Sequence, residues 1–211
     1  MKCLMKSKTV NNANIIGSLT VNGSVLRGFS DTNYLTVSSN FDVSSGRTWE
    51  MVYKVITGSD VTTGQTICGH TGSSNGDPIA LVVNDSKFMI SLCSSSSVYI
   101  KQDGFGTYTV LANTNYWLKF TFNGSKYVLS YSLNGVDYIQ DIVVESTTSV
   151  YTSDLVIGRQ QGGSSEFPWL GSIDLKDCYV NVSGKRLWSG VNTIKVPLAL
   201  KLNKTVYLGV K

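Results

Sequence analysis

Residues 119–138 read KFTFNGSKYVLSYSLNGVDY, with two Asn-Gly pairs eleven residues apart and β-favouring residues on either side. Asn-Gly tolerates positive φ at both central positions of a type I′ turn, whose twist matches the strands it joins. Between the pairs, Tyr127, Leu129, Tyr131 and Leu133 alternate with Val128, Ser130 and Ser132. One face is large and apolar and the other is small and more polar, the signature of a half-buried strand. The stretch predicts a three-stranded antiparallel meander over 118–122, 125–133 and 136–144, joined by two such turns.

The same grammar runs through the chain. Strands are predicted over 33–41, 48–56, 66–70, 79–83, 87–93, 97–102, 107–112, 154–160, 171–182 and 185–190. Clusters such as VSSGR, DGFG and VSGK separate them. No apolar repeat of helical period extends beyond one turn, and charged residues are only 15% of the chain. These features predict an all-β protein, a two-sheet antiparallel β-sandwich. Residues 171–182 contain a phase break, since Ile173 and Leu175 share one face while Cys178, Val180 and Val182 fall on the other. Either a bulge near Lys176-Asp177 restores one buried face, or Tyr179 points inward with Asp177 beside it.

The sandwich is expected over 25–190, with an N-terminal extension over 1–24 and a C-terminal strand over 191–211. In that last segment Ile194, Val196, Leu198, Leu200 and Leu202 alternate with polar or small residues. Pro197 favours an edge position. The segment reads as a strand covering the sandwich edge, or as an assembly arm docking on another copy of the chain. The net charge of +4 is scattered rather than striped, which argues against a nucleic-acid partner. No apolar run approaches the roughly 18 residues of a membrane helix, and the opening MKCLMKSKTVNNAN lacks a secretory core. A product made in a cytosol without membrane insertion is expected. Cys3, Cys68, Cys93 and Cys178 lack metal-type spacing. In a meander, Cys68 and Cys93 would lie about two inter-strand spacings apart, too far for a disulfide.

The segment WLKFTFNGSKYVLSYSLNGVDY resembles the strand-turn-strand core of the laminin-G-like, concanavalin A-like jelly roll, and FPWLGSIDLKDCYVNVSGKRLWSG resembles its closing strands. The Gly171–Leu175 run, a Ser-Gly turn and Trp188 are similar to versions found in bacteriophage tail and capsid-appendage proteins. The resemblance covers about residues 25 to 190. It implies two stacked sheets with loops that often bind glycans. It also implies a virion structural or adhesion protein, made in a host cytoplasm, with virion-protein partners, a host-surface glycan and a homo-oligomeric state. A capsid decoration or tail assembly protein making only protein contacts is the first alternative. A carbohydrate-binding module related to glycoside hydrolases is the second.

Sugar recognition uses flat aromatic faces beside a few polar groups. The candidates are Tyr99, Phe105, Tyr108, Arg159, Gln160 and Trp169, with Phe167 and Gln161 nearby. Beside GSIDL, Trp169 reads more strongly as a plug for the sandwich end, and Trp49, Trp117 and Trp188 read as core. No catalytic residue is assigned. Related glucanases carry a Glu-x-Asp-x-x-Glu run, whereas this chain has three glutamates, Glu50, Glu145 and Glu166, with no acid paired to Glu50 in sequence. GSSNG around Ser74 mimics a nucleophile elbow but lacks the following helix, and the sole histidine, His70, precedes it. No cofactor or metal is assigned. Calcium would need clustered oxygens: Asp60, Asp77 and Asp103 sit in loops that could meet to supply them, whereas Asp174 and Asp177 fall on opposite faces of a regular strand.

Overall fold

The computed structural model describes residues 13–37, 47–70, 78–95, 98–151, 154–160 and 167–191, His70 by its backbone alone. Within these residues the chain is built almost wholly of strands. In chain order they are β1 (Ala13–Ile16), β2 (Thr20–Asn22), β3 (Val25–Arg27), β4 (Tyr34–Val37), β5 (Trp49–Ile56), β6 (Gln65–His70), β7 (Ile79–Asn84) and β8 (Lys87–Ser95). They continue as β9 (Val98–Phe105), β10 (Asn115–Phe122), β11 (Lys126–Ser132), β12 (Ile139–Glu145), β13 (Leu155–Ile157), β14 (Ser172–Asp174), β15 (Tyr179–Val182) and β16 (Lys185–Ser189).

Two antiparallel sheets stack face to face. One runs β1-β4-β13-β6-β7-β8-β9; the other runs β12-β11-β10-β5-β14-β3-β2, with β15 also on β5 and β16 on β15. Alternation decides what lies between them. Met51, Tyr53 and Val55 of β5, Leu118 and Phe120 of β10, and Leu129 of β11 meet Leu81, Phe88 and Ile90 from the opposite sheet, all fully buried. Each such side chain contributes roughly 1.5–3 kcal/mol by leaving water. Aromatic rings fill the ends of this layer: Trp49 meets Phe120 edge-on at 5.1 Å, and Phe122 stacks on Tyr127 at 4.3 Å. The Tyr127 hydroxyl donates to the Thr148 carbonyl at 2.7 Å and accepts from the Val150 amide at 3.1 Å. Its one polar atom is thereby satisfied inside the core.

The meander of β10, β11 and β12 forms as expected, but its turns differ. Gly124 and Gly135 take positive φ (+95° and +77°), while Asn123 and Asn134 do not. Each Asn side chain instead accepts amides two and three residues ahead: Ser125 and Lys126 on Asn123 Oδ1, Val136 and Asp137 on Asn134 Oδ1. The asparagines therefore build Asx turns in longer loops. The pairs with positive φ at both central positions are Asp85-Ser86 and Ser183-Gly184, joining β7 to β8 and β15 to β16.

Two further expectations are corrected. Residues 107–112 form no strand, because their hydrogen bonds go elsewhere: Thr107 and Tyr108 amides to Asp141 Oδ1, and Val110 to the Ser86 carbonyl. Val110 is nonetheless buried, so alternation was read correctly and pairing was not. The phase break in 171–182 is resolved by a 3₁₀ turn over Leu175–Asp177, not a bulge. Asp174 caps this turn by accepting the Lys176 amide. Ile173, Leu175, Cys178, Val180 and Val182 all end in the core, and Tyr179 faces outward. The buried thiols of Cys68 and Cys178 are pushed up to about 12 by loss of solvent. Strand β7 lies between those of Cys68 and Cys93. The alternating residues Ile194 to Leu202, and Ser74, lie outside the described residues.

Gly158 follows β13 with φ +92°, and a Cβ there would stand 2.0 Å from the Phe29 ring. Left-handed backbone costs an L-residue about 1–2 kcal/mol, and overpacking adds roughly 1–3 kcal/mol. Gly158→Ala is expected to destabilise the fold by about 2–5 kcal/mol in urea titration; an unchanged midpoint would contradict this packing.

Candidate functional site

On the outer face of the seven-stranded sheet, β7 presents Ala80 and Val82, the side chains that alternate with the core-facing Ile79, Leu81 and Val83. Both are small and almost fully covered, so they make the floor of a depression rather than a ridge. Around that floor opens a groove of about 420 Å³, within the usual range for small-ligand sites. Met89 and Ser91 of β8 continue the floor, Tyr99, Gln102, Asp103 and Phe105 of β9 make one wall, and Gln160 and Phe167 make the other.

The β9 wall depends on irregular pairing. The β8–β9 register slips at three places between Ile90 and Ser95, and Asp103 takes φ +48°. In a regular strand Gln102 would face away from Phe105; bulges re-aim side chains, and here both reach the groove. Asp103 is tied down by its amide, which donates to Ser91 Oγ at 3.3 Å. On the far wall, the Phe167 carbonyl accepts the Thr66 amide at 2.9 Å, fastening the segment to β6. Tyr99, Phe105 and Phe167 remain 41%, 45% and 43% exposed. These are large apolar rings left in contact with water around one concavity, which is more informative than scattered exposure.

The structure thus brings together Tyr99, Phe105 and Gln160 from the expected residues, with Phe167, and separates the others. Tyr108 turns inward and stacks on Tyr131 at 4.0 Å. Arg159 is buried over the Tyr34 ring at 3.9 Å and donates to the Asp31 carbonyl, clamping the turn before β4. Trp169 is 1% exposed with its indole N–H on the Ser172 carbonyl. It plugs the sandwich end and offers a ligand no face. Asn84, Met89 and Gln102 were missed, and Asp103 was read only as a loop carboxylate for a cation. The sequence hint was present in Ala80, a small residue at an outward position of a strand otherwise rich in bulky aliphatics.

The other sheet carries the main charge cluster. Lys54 of β5 donates to Asp174 Oδ2 at 2.8 Å and lies 3.4 Å from Asp177 Oδ2. The 3₁₀ turn causes this convergence, and corrects the expectation that the two carboxylates point apart. Trp117, expected in the core, lies on this outer face, with its indole N–H on Asp177 at 3.2 Å and Lys54 over its ring at 4.8 Å. Among the described residues no group of three or more His, Cys, Asp or Glu is placed to hold a metal ion. Asp60 is occupied within its own loop, where Oδ1 accepts the Thr62 and Thr63 amides.

No protein-family model matches the chain, and no curated protein does. Solved structures do. The laminin α2 chain LG1-3 region aligns with TM-score 0.57 at 8% identity, over 82% of this chain and 33% of that one. The fold is a laminin-G-like jelly roll. Two botulinum neurotoxin structures share it. The binding domain of neurotoxin DC in complex with SialylT aligns at TM-score 0.55 and 12% identity, covering 87% of this chain and 46% of the other. A structure of type C neurotoxin, whose cell entry depends on interaction with two ganglioside molecules, aligns at TM-score 0.54 and 13% identity, covering 90% of this chain and 46% of the other. This jelly roll spans less than half the length of each of those chains.

Burial disfavours the Asp174 carboxylate, but bonds from Lys54, Ser24 and the Lys176 amide outweigh it and hold its pKa below the usual value. Burial likewise opposes the Lys54 charge, and Asp174 overcomes it, so Lys54 is raised. A depressed carboxylate contributes stability above its unfolded value of about 3.9 and loses it as pH falls through the folded value. The raised Lys54 contribution is complete below about pH 10 and is lost only at higher pH. The melting-temperature gap between wild type and Asp174→Asn is therefore expected to be flat from pH 8 to about 5 and to close towards pH 2. A gap independent of pH would contradict the ion pair.

Proposed function

We infer that the chain is a non-enzymatic adhesion module whose groove on the seven-stranded sheet takes a cell-surface glycan. The observation that carries this reading is the ring of half-exposed Tyr99, Phe105 and Phe167 around a small-residue floor, with Gln102, Asn84 and Gln160 beside them. Aromatic faces take the apolar faces of a sugar ring, and side-chain amides donate to and accept from its hydroxyls. The sialyl and ganglioside ligands named for structures of the same fold support the reading. A shallow groove binds weakly alone, so copies displayed together would multiply its strength. The bacteriophage-appendage resemblance supplies a setting of that kind, a virion surface with virion-protein partners and a homo-oligomeric state.

A second reading, assembly through protein contacts, is favoured by a different observation. Strands β9 and β12 end their sheets on the same flank, where Val98, Ile139, Val143 and the adjoining Leu133 and Val136 are exposed. Edge β12 carries neither lysine nor proline to discourage pairing.

A glycan array probed with the multivalent displayed protein separates the two. Retention of defined glycans by the wild type, reduced at least about tenfold in Tyr99→Ala and Phe105→Ala, is expected. Both side chains are exposed, so the melting temperature should stay within a few degrees. An array without signal, or variants that bind like the wild type, would contradict the glycan reading.

A further inference from the structure

The outer face of the nine-stranded sheet holds a second groove of about 630 Å³, with chemistry unlike the first. Its floor is Val52, the cross-strand partner of Lys119 on β10 and of Tyr179 on β15. The row from Lys119 to Tyr179 spans two inter-strand spacings, about 10 Å. At one end Lys119 lies over the Tyr138 ring at 4.1 Å. At the other, Arg186 stacks on Tyr179 at 3.7 Å and donates Nε to Asn181 Oδ1 at 2.7 Å. Each cation is held on an aromatic face, so its position is fixed before any ligand arrives.

Lys119, Lys176 and Arg186 line this groove, and among the described residues none makes an ion pair. The groove's two carboxylates are differently engaged. Asp177 is taken up by Lys54 and the Trp117 indole. Glu50 accepts Tyr179 at 2.8 Å and Asn181 at 3.4 Å, both on Oε1, which leaves the lone pairs of Oε2 for a further donor. Burial, and then the charges of Glu50 and Asp177, push the Tyr138 hydroxyl upward, so it stays protonated and able to donate.

We propose that this second groove binds an anionic saccharide, a sugar carrying a carboxylate or sulfate. Arg186 takes the anionic group at one end of the row, Lys119 donates to the oxygens of the second ring at the other, and Glu50 Oε2 accepts a ring hydroxyl. An anion matches the unpaired cations, a polyhydroxylated ligand matches the mixture of Glu50, Tyr138 and Ser189 oxygens, and a span of about 10 Å suits two linked sugar rings. The position on a sheet face rather than an edge offers no ladder for a peptide backbone. The two grooves lie on opposite sides of the sandwich, so this site stands independently of the one proposed above.

Calorimetric titration of the full chain with 3′-sialyllactose and with a heparin-derived disaccharide tests the proposal and separates carboxylate from sulfate; lactose is the uncharged control. At least one charged sugar is expected to bind. Its affinity should fall about tenfold or more in Lys119→Met/Arg186→Gln and weaken as salt rises from about 50 to 500 mM. It should be unchanged in Phe105→Ala. Both changes lie at the surface, and a circular-dichroism melt checks folding. Failure of both charged sugars to bind, equal binding of lactose, or an unaffected double variant would overturn the proposal. Loss of binding in Phe105→Ala would also overturn it and return the ligand to the first groove, whereas array binding lost in Phe105→Ala beside inert charged sugars would leave the first site standing alone.

Discussion

Strand β5 has to satisfy two environments at once, and most of the molecule follows from how it does so. Trp49, Met51, Tyr53 and Val55 face the opposite sheet and are buried. Glu50, Val52 and Lys54 face outward between β10 on one side and β14 and β15 on the other. A slip of one residue would bury a glutamate and a lysine and expose a tryptophan and a tyrosine, so the register is fixed by a large free-energy difference. The 3₁₀ turn at Leu175–Asp177 belongs to the same constraint. It lets one run of chain serve both halves of β5 while keeping its apolar residues inward, and it delivers Asp174 and Asp177 to Lys54.

With the interior packed, chemistry is left to the outside. The two grooves lie on outer sheet faces, and each is made by a different departure from regular pairing. On one sheet, slipped pairing along β9 turns Gln102, Asp103 and Phe105 towards a floor of small side chains. On the other, the Asn134-Gly135 loop lies against the Trp117 ring, where a Cβ on Gly135 would come within 3.0 Å. A glycine at that turn lets the loop form one side of the second groove. Regular strands provide a rigid base, and the irregularities decide which side chains meet above it.

Fold class and most strand positions from β4 onward were legible because alternation and turn residues are local signals, whereas β1, β2 and β3 fall where no strand was expected. The NG pairs marked real hairpins, although each Asn side chain closes an Asx turn on the amides two and three residues ahead in place of the expected type. The failure at 107–112 is instructive: Tyr108 and Val110 alternate like a strand, but the Asp141 carboxylate takes the amides a neighbour would have paired. The groove was half legible. Tyr99, Phe105 and Gln160 were found by residue type and loop position. Arg159 and Trp169 share that type and position but sit in contacts with Asp31, Tyr34 and Ser172 that close over long separations or through the sandwich end. Trp117 was misplaced because its size suggested the core, although its own segment sets it on the outward face with Lys119 and Thr121, opposite the buried Tyr116, Leu118, Phe120 and Phe122.

The central proposal is that ligands meet this jelly roll on its outer sheet faces. Backbone amide NMR, with the strongest uncharged glycan retained by the wild type as titrant, tests it most directly. The account predicts shifts concentrated on Ala80, Val82, Met89, Gln102, Phe105 and Gln160, with the sugar recovered intact. Shifts confined to other surfaces, or cleavage of the glycan during the titration, would contradict it.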